Sequence, residues 1–580
     1  MTDIEELINL KFKELTSEQY LILKTEFIKE DFKKFNYSKF ILKFQRKYKF
    51  SLRKTDLIKL YYNLNLNDIN LKNLIIKKNN KSNSGIISLT IVLPPSYDYI
   101  NDDGETKKIN FSCEFDCFYC PNQPNQPRSY IDSSPALLRS NMYNHDCIKQ
   151  INSRLNTLIE MGHIIDKIEI IILGGTFQSF KKQFQERFFT DIYYTINTFY
   201  DIYKRNRKLL SDEIIINETS NIKIIGITIE TRPDLITLEE IKWFRYLSIT
   251  RIQIGIQVLN DEILKKINRQ CTILNCINAI KLLKQNCFKI DIHIMQNLPN
   301  STPEIDKDTL NQILYNKDYQ IDYIKIYPTA ILPYTKIKKW YEKGIYKPYD
   351  EKYLFDIIKY FKMNVPRYIR INRIIREWKK EDLIGGYTEH SINLRNMLKT
   401  DMKINNWNCK CIRCRECKNI NDIYNNNDFK LTIEKYDSSN GIEYFISYNT
   451  IKTDLLIGFV RLRINNNDDP NILDILKNCA LIRELHIYSI LSNVGNNDNT
   501  LSLQHKGFGK KLLKKAEEIA LTHKIYKTAV IVSGGTVGYY KKQGYIYKDT
   551  YMIKNLYNYN KLYYIPLLVI IPLFIYKFVL

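Results

Sequence analysis

The chain has 580 residues, which is too long for one ordinary hydrophobic core, so roughly two to four domains are expected. Its 44% apolar and 26% charged residues exclude an intrinsically disordered chain. Lysine and arginine exceed aspartate and glutamate by 87 to 63, and the resulting charge of +24 favours a polyanionic partner, either a nucleic acid or an anionic membrane surface.

The first 85 residues carry apolar side chains at spacings of three and four, which predicts helices. Between Lys33 and Lys59 there are ten basic residues and one acid, Asp56, with aromatic residues interleaved. A solvated helix face above an ordinary apolar stripe explains this pattern, and so does a phosphate-binding surface, which we expect here. The expected phosphate contacts are Lys43, Arg46, Lys47, Lys49, Arg53 and Lys54.

Residues 86–390 alternate short apolar runs with helical patterns, beginning with the β-branched run 'IISLTIVLPP'. This alternation predicts a parallel sheet of βα units, either an open doubly wound sheet or a full or partial barrel, with functional groups at the carboxyl ends of the strands. A connector rich in cysteine and asparagine, 391–425, separates this region from a second α/β unit at 426–556.

The sequence 'CEFDCFYC' places Cys113, Cys117 and Cys120 at C-x3-C-x2-C spacing after the first strand region. The polar, acidic start of the chain has no secretion signal, so we expect a reducing compartment, where clustered cysteines bind metals more often than they form disulfides. Three thiolates on one short loop suit three irons of a [4Fe–4S] cluster and leave the fourth iron open. A zinc site with a distant fourth ligand is the alternative.

Small and polar residues follow the later strands of this region. Gly174, Gly175 and Thr176 end 'IIILGGTF', and glycines there let a ligand approach the backbone closely. Glu230 ends 'GITIE', and Gln253 lies in 'RIQIGIQ'. Such residues are often functional, although a turn, a cap or a salt bridge explains any single one.

The segment 'QHKGFGKKLLKKAEEIA' is a glycine-rich turn that runs into an amphipathic helix, which points backbone N–H groups at a pyrophosphate. It follows the strand-like 'LIRELHIY' and precedes 'TAVIVSGGTVGYYKKQGY', which predicts a strand, a turn and a helix. This pattern resembles the GCN5-related acetyltransferases and implies an acetyl-CoA site. An unrelated phosphate loop is the alternative.

Five segments of the first α/β region look like the radical S-adenosylmethionine (SAM) domain of the Elongator catalytic subunit family, in the same order and spacing: 'GHIIDKIEIIILGGTF', 'GITIETRPD', 'RIQIGIQ', 'HIMQNLPN' and 'YIKIYPT'. Eukaryotic members have a longer gap between the first two cluster cysteines, whereas three residues separate them here. The resemblance implies an α/β chain with a helical region at 1–85, a radical SAM (βα) partial barrel at 86–390, a metal-binding connector at 391–425 and a GCN5-related acetyltransferase domain at 426–556.

The resemblance also implies the site residues. It places the [4Fe–4S] cluster on Cys113, Cys117 and Cys120, and SAM on Gly174, Gly175, Thr176, Glu230 and Gln253. It places acetyl-CoA on Lys167, Glu484, Leu485, His486, Ile487, Phe508, Gly509, Lys510 and Tyr540.

The activity that the resemblance implies is modification of tRNA. A radical derived from SAM would abstract hydrogen from the methyl group of acetyl-CoA, and the carbon radical would add to C5 of the wobble uridine. Loss of an electron and of the C5 proton, followed by hydrolysis of the thioester with release of CoA, would leave a carboxymethyl group. Radical chemistry suits this step because C5 of uracil is unactivated, and an anticodon loop presents its bases unpaired. The basic region 1–85 would hold the tRNA by its phosphates, and Elongator-like subunits are expected partners. The alternatives are a protein lysine acetyltransferase with the barrel as scaffold and a non-catalytic, membrane-anchored tRNA-binding protein.

The run 'CKCIRCREC' holds Cys409, Cys411, Cys414 and Cys417, and it resembles a metal-binding cysteine patch of the same family. Zinc is the simplest occupant, while a redox-labile or empty site and a second iron–sulfur cluster are alternatives. His390 is a candidate replacement for one thiol ligand.

Residues 562–580, 'LYYIPLLVIIPLFIYKFVL', contain one charged residue, Lys577. About twenty apolar residues cross a bilayer, and Pro566 and Pro572 are tolerated in membrane helices. We therefore expect a C-terminal transmembrane anchor that leaves the enzyme in the cytosol, with an apolar tail docked on the protein as the alternative.

Overall fold

The computed structural model describes residues 15–32, 35–50, 52, 54–66, 68, 71, 74–75, 86–161, 163, 165–376, 378–387, 393–417, 429–466, 469–488 and 507–556. The chain divides into two compact units, one formed by residues 1–82 with 153–165 and the other by residues 83–152 with 166–580. Both predicted α/β regions therefore belong to one compact body. The predicted domain boundaries themselves stay predictions.

Helices α1 (Ser17–Ile28), α2 (Tyr37–Tyr48) and α3 (Lys54–Asn63) belong to the first unit. The α-helices that follow, in chain order, are α4 (Pro135–Asn141), α5 (Cys147–Glu160), α6 (Lys182–Asn197), α7 (Leu210–Ile216), α8 (Leu238–Tyr246), α9 (Asp261–Lys266), α10 (Ile273–Gln285), α11 (Pro303–Tyr315), α12 (Lys336–Glu342), α13 (Glu351–Asn364), α14 (Leu394–Ile404), α15 (Ile412–Arg415), α16 (Phe508–Thr522) and α17 (Val537–Lys541).

The strands are β1 (Ile87–Val92), β2 (Tyr97–Ile100), β3 (Thr106–Ile109), β4 (Lys167–Leu173), β5 (Lys223–Thr231), β6 (Arg251–Gln257), β7 (Lys289–Ile294), β8 (Tyr323–Ile326), β9 (Arg370–Arg373), β10 (Phe429–Asp437), β11 (Gly441–Thr450), β12 (Leu456–Asn465), β13 (Ala480–Ile487), β14 (Lys527–Ile531), β15 (Ile546–Lys548) and β16 (Tyr551–Asn555). Strands β2 and β3 pair as a separate hairpin.

Helices α1–α3 pack around an aromatic core. Phe27 of α1 meets Phe40 of α2 edge-on, with ring centroids 5.8 Å apart, and Phe44 lies in the same cluster. A capping box at Thr16 starts α1, and the Asn36 side chain caps α2. Phe40 and Phe44, two of the interleaved aromatic residues, thus belong to the buried apolar stripe of α2. The basic residues of α2 lie on its exposed face.

Seven parallel strands form the first sheet, in the order β1-β4-β5-β6-β7-β8-β9. They follow one another around the sheet without the reversal of order that defines a doubly wound fold. The prediction of a partial barrel is confirmed, and the open doubly wound alternative is wrong. One face of the central strands is apolar, and its isoleucines, among them Ile252, Ile254, Ile290 and Ile292, are fully buried.

The second sheet has the order β10-β11-β12-β13-β14-β16-β15, and β13–β14 is the parallel pair among its described ladders. Helix α16 lies against this sheet because its apolar face, which includes Leu512, Ala516 and Ile519, is buried in the core of the sheet. The prediction of a second α/β unit is therefore confirmed.

Buried charged side chains join the two sheets. Arg483 of β13 donates to Asp322, just before β8, at 2.6 and 2.7 Å, and to Glu443 of β11 at 2.7 Å. Lys284 of α10 lies 3.3 Å from Glu443, and all four side chains are fully buried. Removing one partner of a buried ion pair is strongly destabilising, so each of these charges depends on the others.

Within the described ranges, no helix combines the length and the apolar character that crossing a bilayer requires. The predicted anchor at 562–580 lies outside those ranges.

Candidate active site

The three cysteines of 'CEFDCFYC' lie in the loop between β3 and α4, where each sulfur has a polar partner. Cys113 Sγ lies 3.2 Å from Thr176 Oγ1, and Cys120 Sγ lies 3.0 Å from Ser129 Oγ. Cys117 is buried and faces two arginine side chains. The structure thus brings the three thiols and Thr176 together beside the carboxyl end of β4.

The glycine pair after β4 packs against this loop. Gly174 and Gly175 have φ values of +136° and +102°, where an L side chain is strained. A Cβ on Gly175 would stand 3.2 Å from the carbonyl oxygen of Ser112 and 3.4 Å from Cys113 Cβ. The absence of side chains on this pair therefore permits the close approach of the two backbone segments.

Two arginine side chains converge on Cys117. Arg232, just after β5, donates from Nη1 to Cys117 Sγ at 3.6 Å, and Arg269, after α9, donates at 3.5 Å. The Nε groups of Arg269 and of Arg128 are buried donors without an acceptor among the described residues. Donors around the sulfurs, with further donors unfilled, fit an anionic group such as an iron–sulfur cluster.

The inner face of this partial barrel carries polar side chains. Closed βα barrels differ, because branched apolar side chains fill their interior. Tyr130 donates to Glu230 Oε2 at 3.2 Å, and Lys325 Nζ donates to Gln253 Oε1 at 2.5 Å. Burial raises the pKa of Glu230, against the opposing effect of Lys325. The predicted SAM residues Glu230 and Gln253 are therefore each held by a polar side chain, Glu230 by the loop before α4 and Gln253 by β8.

Three polar atoms on β7 and in the turn after it are buried and have no partner in the described part of the chain: Asp291 Oδ1, His293 Nε2 and Gln296 Oε1. The other oxygen of Asp291 accepts from Asn372 Nδ2 at 2.8 Å. Burial holds the pKa of His293 well below its usual range, so its ring is neutral at neutral pH. Unfilled buried polar groups bind water or a ligand, which indicates that this lumen is built for polar contents.

Strands β13 and β14 separate before the residues of β13 that are predicted to bind acetyl-CoA. Their described ladder joins Ala480–Ile482 to Thr528–Val530 and ends there, and a bulge at Arg483 follows. Residues 484–487 therefore have one backbone edge that is not paired to β14. Such an edge binds extended ligands through its N–H and C=O groups.

The side chains of this edge have different surroundings. Glu484 accepts from Arg461 Nε at 2.9 Å and from the hydroxyl of Tyr323, which ties β13 to β8 of the barrel. His486 Nε2 is buried without a partner among the described residues, and burial lowers the pKa of this ring. Leu485 packs against the core of the second sheet.

Helix α16 begins at the predicted glycine turn. Gly507 caps the helix with a φ of +74°, and no side chain caps its first N–H groups. Phe508 packs with Ile487, and a Cβ on Gly509 would stand 2.9 Å from the hydroxyl oxygen of Tyr539. The turn and the open edge of β13 thus adjoin, and the start of α16 is suited to bind a phosphate.

The remaining three members of the predicted acetyl-CoA set have different surroundings. Tyr540 of α17 is buried beside Tyr539, with ring centroids 5.1 Å apart, and burial raises its pKa. Lys510 is exposed on the first turn of α16. Lys167 is the first residue of β4, and no described hydrogen bond or ion pair joins it to the second sheet.

The connector brings together three of its four predicted ligands. The sulfur atoms of Cys409, Cys411 and Cys414 lie within 4.8 Å of one another, and no other three potential ligand residues come this close in the described ranges. Cys417 lies apart from this group, in the hydrophobic cluster at the start of α16. His390 lies outside the described residues. Three close thiols fit a tetrahedral metal ion with one further ligand.

The basic residues of α2 form a continuous surface. A groove of about 500 Å³ is lined by Lys39, Leu42, Lys43, Arg46 and Lys47. Lys49 is exposed at the end of the helix. Arg53 and the side chain of Lys54 lie outside what the structure describes, so their predicted role stays a prediction.

The sequence did not single out Arg269, Asp291 or Lys325. Asp291 and Lys325 lie in 'KIDIHI' and 'YIKI', where polar residues alternate with isoleucines. That alternation is the signal for a polar inner face, and it predicts both residues. Arg269 lies in a loop after α9, where no local pattern distinguishes it from a surface arginine.

Two family models match the chain: the Radical SAM superfamily over residues 108–309 and the Radical_SAM C-terminal domain over residues 321–404. The solved structure of archaeal Methanocaldococcus infernus Elp3, with an N-terminal deletion, superimposes with a TM-score of 0.66 at 29% identity, covering 82% of this chain and 100% of that one. The predicted fold is therefore confirmed by a solved relative.

Curated relatives match along most of their length. The tRNA uridine(34) acetyltransferase of Methanocaldococcus infernus is 33% identical over 438 residues, which are 74% of this chain and 80% of that protein. The protein of the same name from Methanocaldococcus jannaschii is 34% identical over 440 residues, 74% of this chain and 79% of that protein. Elongator complex protein 3 of Homo sapiens is 30% identical over 442 residues, 74% of this chain and 78% of that protein.

Proposed function

We propose a function from one premise: the chain belongs to the family of the tRNA uridine(34) acetyltransferases and Elongator complex protein 3. On this premise the chain is a radical SAM enzyme that uses SAM and acetyl-CoA to form 5-carboxymethyluridine at the wobble position of tRNA. The observation that carries the proposal is that one compact unit holds both a cysteine loop surrounded by donors and an open strand edge beside the start of α16. A protein lysine acetyltransferase would need only the second.

The cysteine loop is the proposed cluster site. Cys113, Cys117 and Cys120 would hold three irons of a [4Fe–4S] cluster, and the glycine pair 174–175 would let SAM approach the fourth. The bound cluster and SAM supply a 5′-deoxyadenosyl radical. Glu230 would orient SAM from the barrel wall, together with Gln253 and Thr176. The unfilled arginine donors beside the loop support an anionic occupant.

The open edge of β13 is the proposed acetyl-CoA site. Residues 484–487 would pair with the amides of the pantetheine arm, and the N–H groups at the start of α16 would bind the pyrophosphate, assisted by Lys510. A tyrosine hydroxyl is protonated at neutral pH, and burial raises the pKa of Tyr540 further, so this hydroxyl would donate to the acetyl end. Lys167 would contribute from the amino end of β4.

The basic surface of α2 is the proposed tRNA contact. Lys43, Arg46 and Lys47 line one groove, and phosphate contacts of this kind release counter-ions from the nucleic acid. Replacing Arg46 with Gln should weaken tRNA binding and reduce the salt dependence of log K by roughly one phosphate contact. An unchanged salt slope would place the tRNA elsewhere.

The connector and the C-terminal segment carry two secondary proposals. Cys409, Cys411 and Cys414 would bind zinc, and metal analysis of the purified chain should show zinc that is lost in Cys409→Ser. Residues 562–580 would anchor the chain to a membrane, and deleting them should release it from the membrane fraction. Wild-type protein that contains no zinc would contradict the zinc proposal. A chain without residues 562–580 that still fractionates with the membrane would contradict the anchor proposal.

The function is tested by product analysis. The anaerobically reconstituted chain is given SAM, dithionite, acetyl-CoA and a tRNA with an unmodified wobble uridine, and the digested tRNA is analysed by mass spectrometry. We expect 5-carboxymethyluridine from the unaltered chain. Cys117→Ala should abolish both SAM cleavage and product, whereas Tyr540→Ala should lose product and retain SAM cleavage.

Cys147→Ala is the matched control, because Cys147 is a buried cysteine on α5 outside the loop, and it should retain both activities. If the unaltered chain cleaves SAM but leaves the uridine unmodified, the proposed substrate is wrong. If it holds a cluster and cleaves no SAM, the radical reaction is wrong.

A further inference from the structure

Arg269 is a buried cation without an acidic partner. The residue is 6% exposed, and no carboxylate of the described residues forms an ion pair with it. Its neighbour Arg232 differs, because Asp234 pairs with that guanidinium at 2.9 Å. A buried charge without a counter-ion is costly, so the surroundings of Arg269 call for an anion, and no carboxylate of the described residues supplies it.

Hydrogen bonds fix the orientation of this guanidinium. Nη2 of Arg269 donates to the carbonyl oxygen of Gly255 on β6 at 2.6 Å, and Nη1 donates to Cys117 Sγ at 3.5 Å. A Cβ on Gly255 would stand 3.0 Å from Nη2, so the glycine leaves room for this contact. Arg269 is thus clamped to the barrel on one side and to the central thiol of the loop on the other, with Nε unfilled.

The charge of the proposed cluster matches this requirement. Three thiolates and an oxidised [4Fe–4S] core of charge +2 sum to a net negative charge, and reduction by an external one-electron donor adds another. A fixed cation and an N–H···S bond stabilise the more negative state more strongly, and hydrogen bonds to the sulfurs are among the factors that set cluster potentials.

We propose that Arg269 is the counter-ion of the cluster and a positioning residue that raises its reduction potential through Cys117. The inference rests on the proposed assignment of the cluster to Cys113, Cys117 and Cys120. Arg232 contributes less, because Asp234 neutralises its charge. A merely structural role for Arg269 would lower the amount of cluster assembled but would leave the midpoint potential of the assembled clusters unchanged.

The test is a redox titration of the reconstituted full-length chain with dithionite, followed by electron paramagnetic resonance. At the potential where the unaltered chain is half reduced, Arg269→Gln should lower the ratio of reduced to oxidised cluster at least about tenfold, or about 59 mV for a one-electron couple. Arg269→Lys should shift the midpoint in the same direction by less, because lysine keeps the charge but cannot span both Cys117 and Gly255.

Asn268→Ala is the matched control. Asn268 precedes Arg269 and its Nδ2 donates to the Asp116 carbonyl oxygen at 2.8 Å, so the variant disturbs the same loop without removing an N–H···S bond. Its midpoint should equal that of the unaltered chain. If both Arg269 variants have the same midpoint potential as the unaltered chain, the inference is overturned. If Arg269→Gln assembles no cluster, Arg269→Lys carries the test. If the unaltered chain shows no cluster signal, the cluster assignment fails first and this inference fails with it.

Discussion

Lys284 shows how a single buried residue links stability to pH. Its ammonium group lies 3.3 Å from Glu443 in the layer between the sheets, and Glu443 is already paired with Arg463 and Arg483. Burial lowers the pKa of Lys284 to about 7, although Glu443 opposes the shift. An unfolded lysine has a pKa near about 10.4, so between these values the unfolded chain binds more protons than the folded chain.

The free energy of unfolding should therefore rise with pH between about 7 and about 10, by up to about 1.4 kcal/mol per pH unit from this residue. In urea denaturation at pH 7, 8 and 9, the stability of the unaltered chain relative to Lys284→Met should increase across the series. Lys281→Met, in the same helix and partly exposed, controls for the loss of a lysine. If the difference in the free energy of unfolding between the unaltered chain and Lys284→Met stays constant with pH, this account is contradicted.

The turn between β14 and α17 packs against the barrel and so positions α17, which carries Tyr540 of the proposed acetyl-CoA site. A Cβ on Gly535 would stand 2.6 Å from Lys223 Cβ and 2.7 Å from the carbonyl oxygen of Ile224, both at the start of β5. Ser533 Oγ donates to the same carbonyl at 2.9 Å. The glycine is therefore required for the contact with the barrel. Tyr540 lies shortly after it, in α17.

Gly535→Ala should lower the thermal midpoint and weaken acetyl-CoA binding, since overpacking at such a contact costs about 1–3 kcal/mol. Gly538→Ala is the control, because a Cβ there would meet only the Glu218 side chain at 3.5 Å or more, and alanine favours the helix by about 1 kcal/mol. Calorimetry and acetyl-CoA titration of both variants measure the effect. Equal behaviour of the two variants would mean that the turn does not carry the contact.

The elements were largely predictable from sequence, because isoleucine runs and glycine turns are local signals. 'RIQIGIQ' is β6 over Arg251–Gln257, and the predicted glycine turn begins α16. The long-range side-chain pairings, in the site and in the layer between the sheets, were not predictable in this way. Lys284 and Glu443 are 159 positions apart, and Arg269 meets Cys117 across 152 positions, so only tertiary packing selects these partners.

At the scale of the whole molecule, the two proposed cofactor sites belong to one compact unit held by buried charges. Glu484 illustrates the connection, because it lies on the proposed acetyl-CoA strand and accepts from Tyr323 of the barrel. Asp322 and Arg483 fix the same strands to each other at 2.6 Å. This arrangement is expected of an enzyme whose two cofactors act in one reaction.

Isotope tracing tests that central claim most directly. The reconstituted chain is given SAM, an unmodified tRNA and acetyl-CoA with a fully deuterated methyl group, and both 5′-deoxyadenosine and the modified nucleoside are analysed by mass spectrometry. The account predicts that each modified uridine retains two of the three methyl deuterons and that the third appears in 5′-deoxyadenosine. Modified uridine formed together with deuterium-free 5′-deoxyadenosine would contradict it.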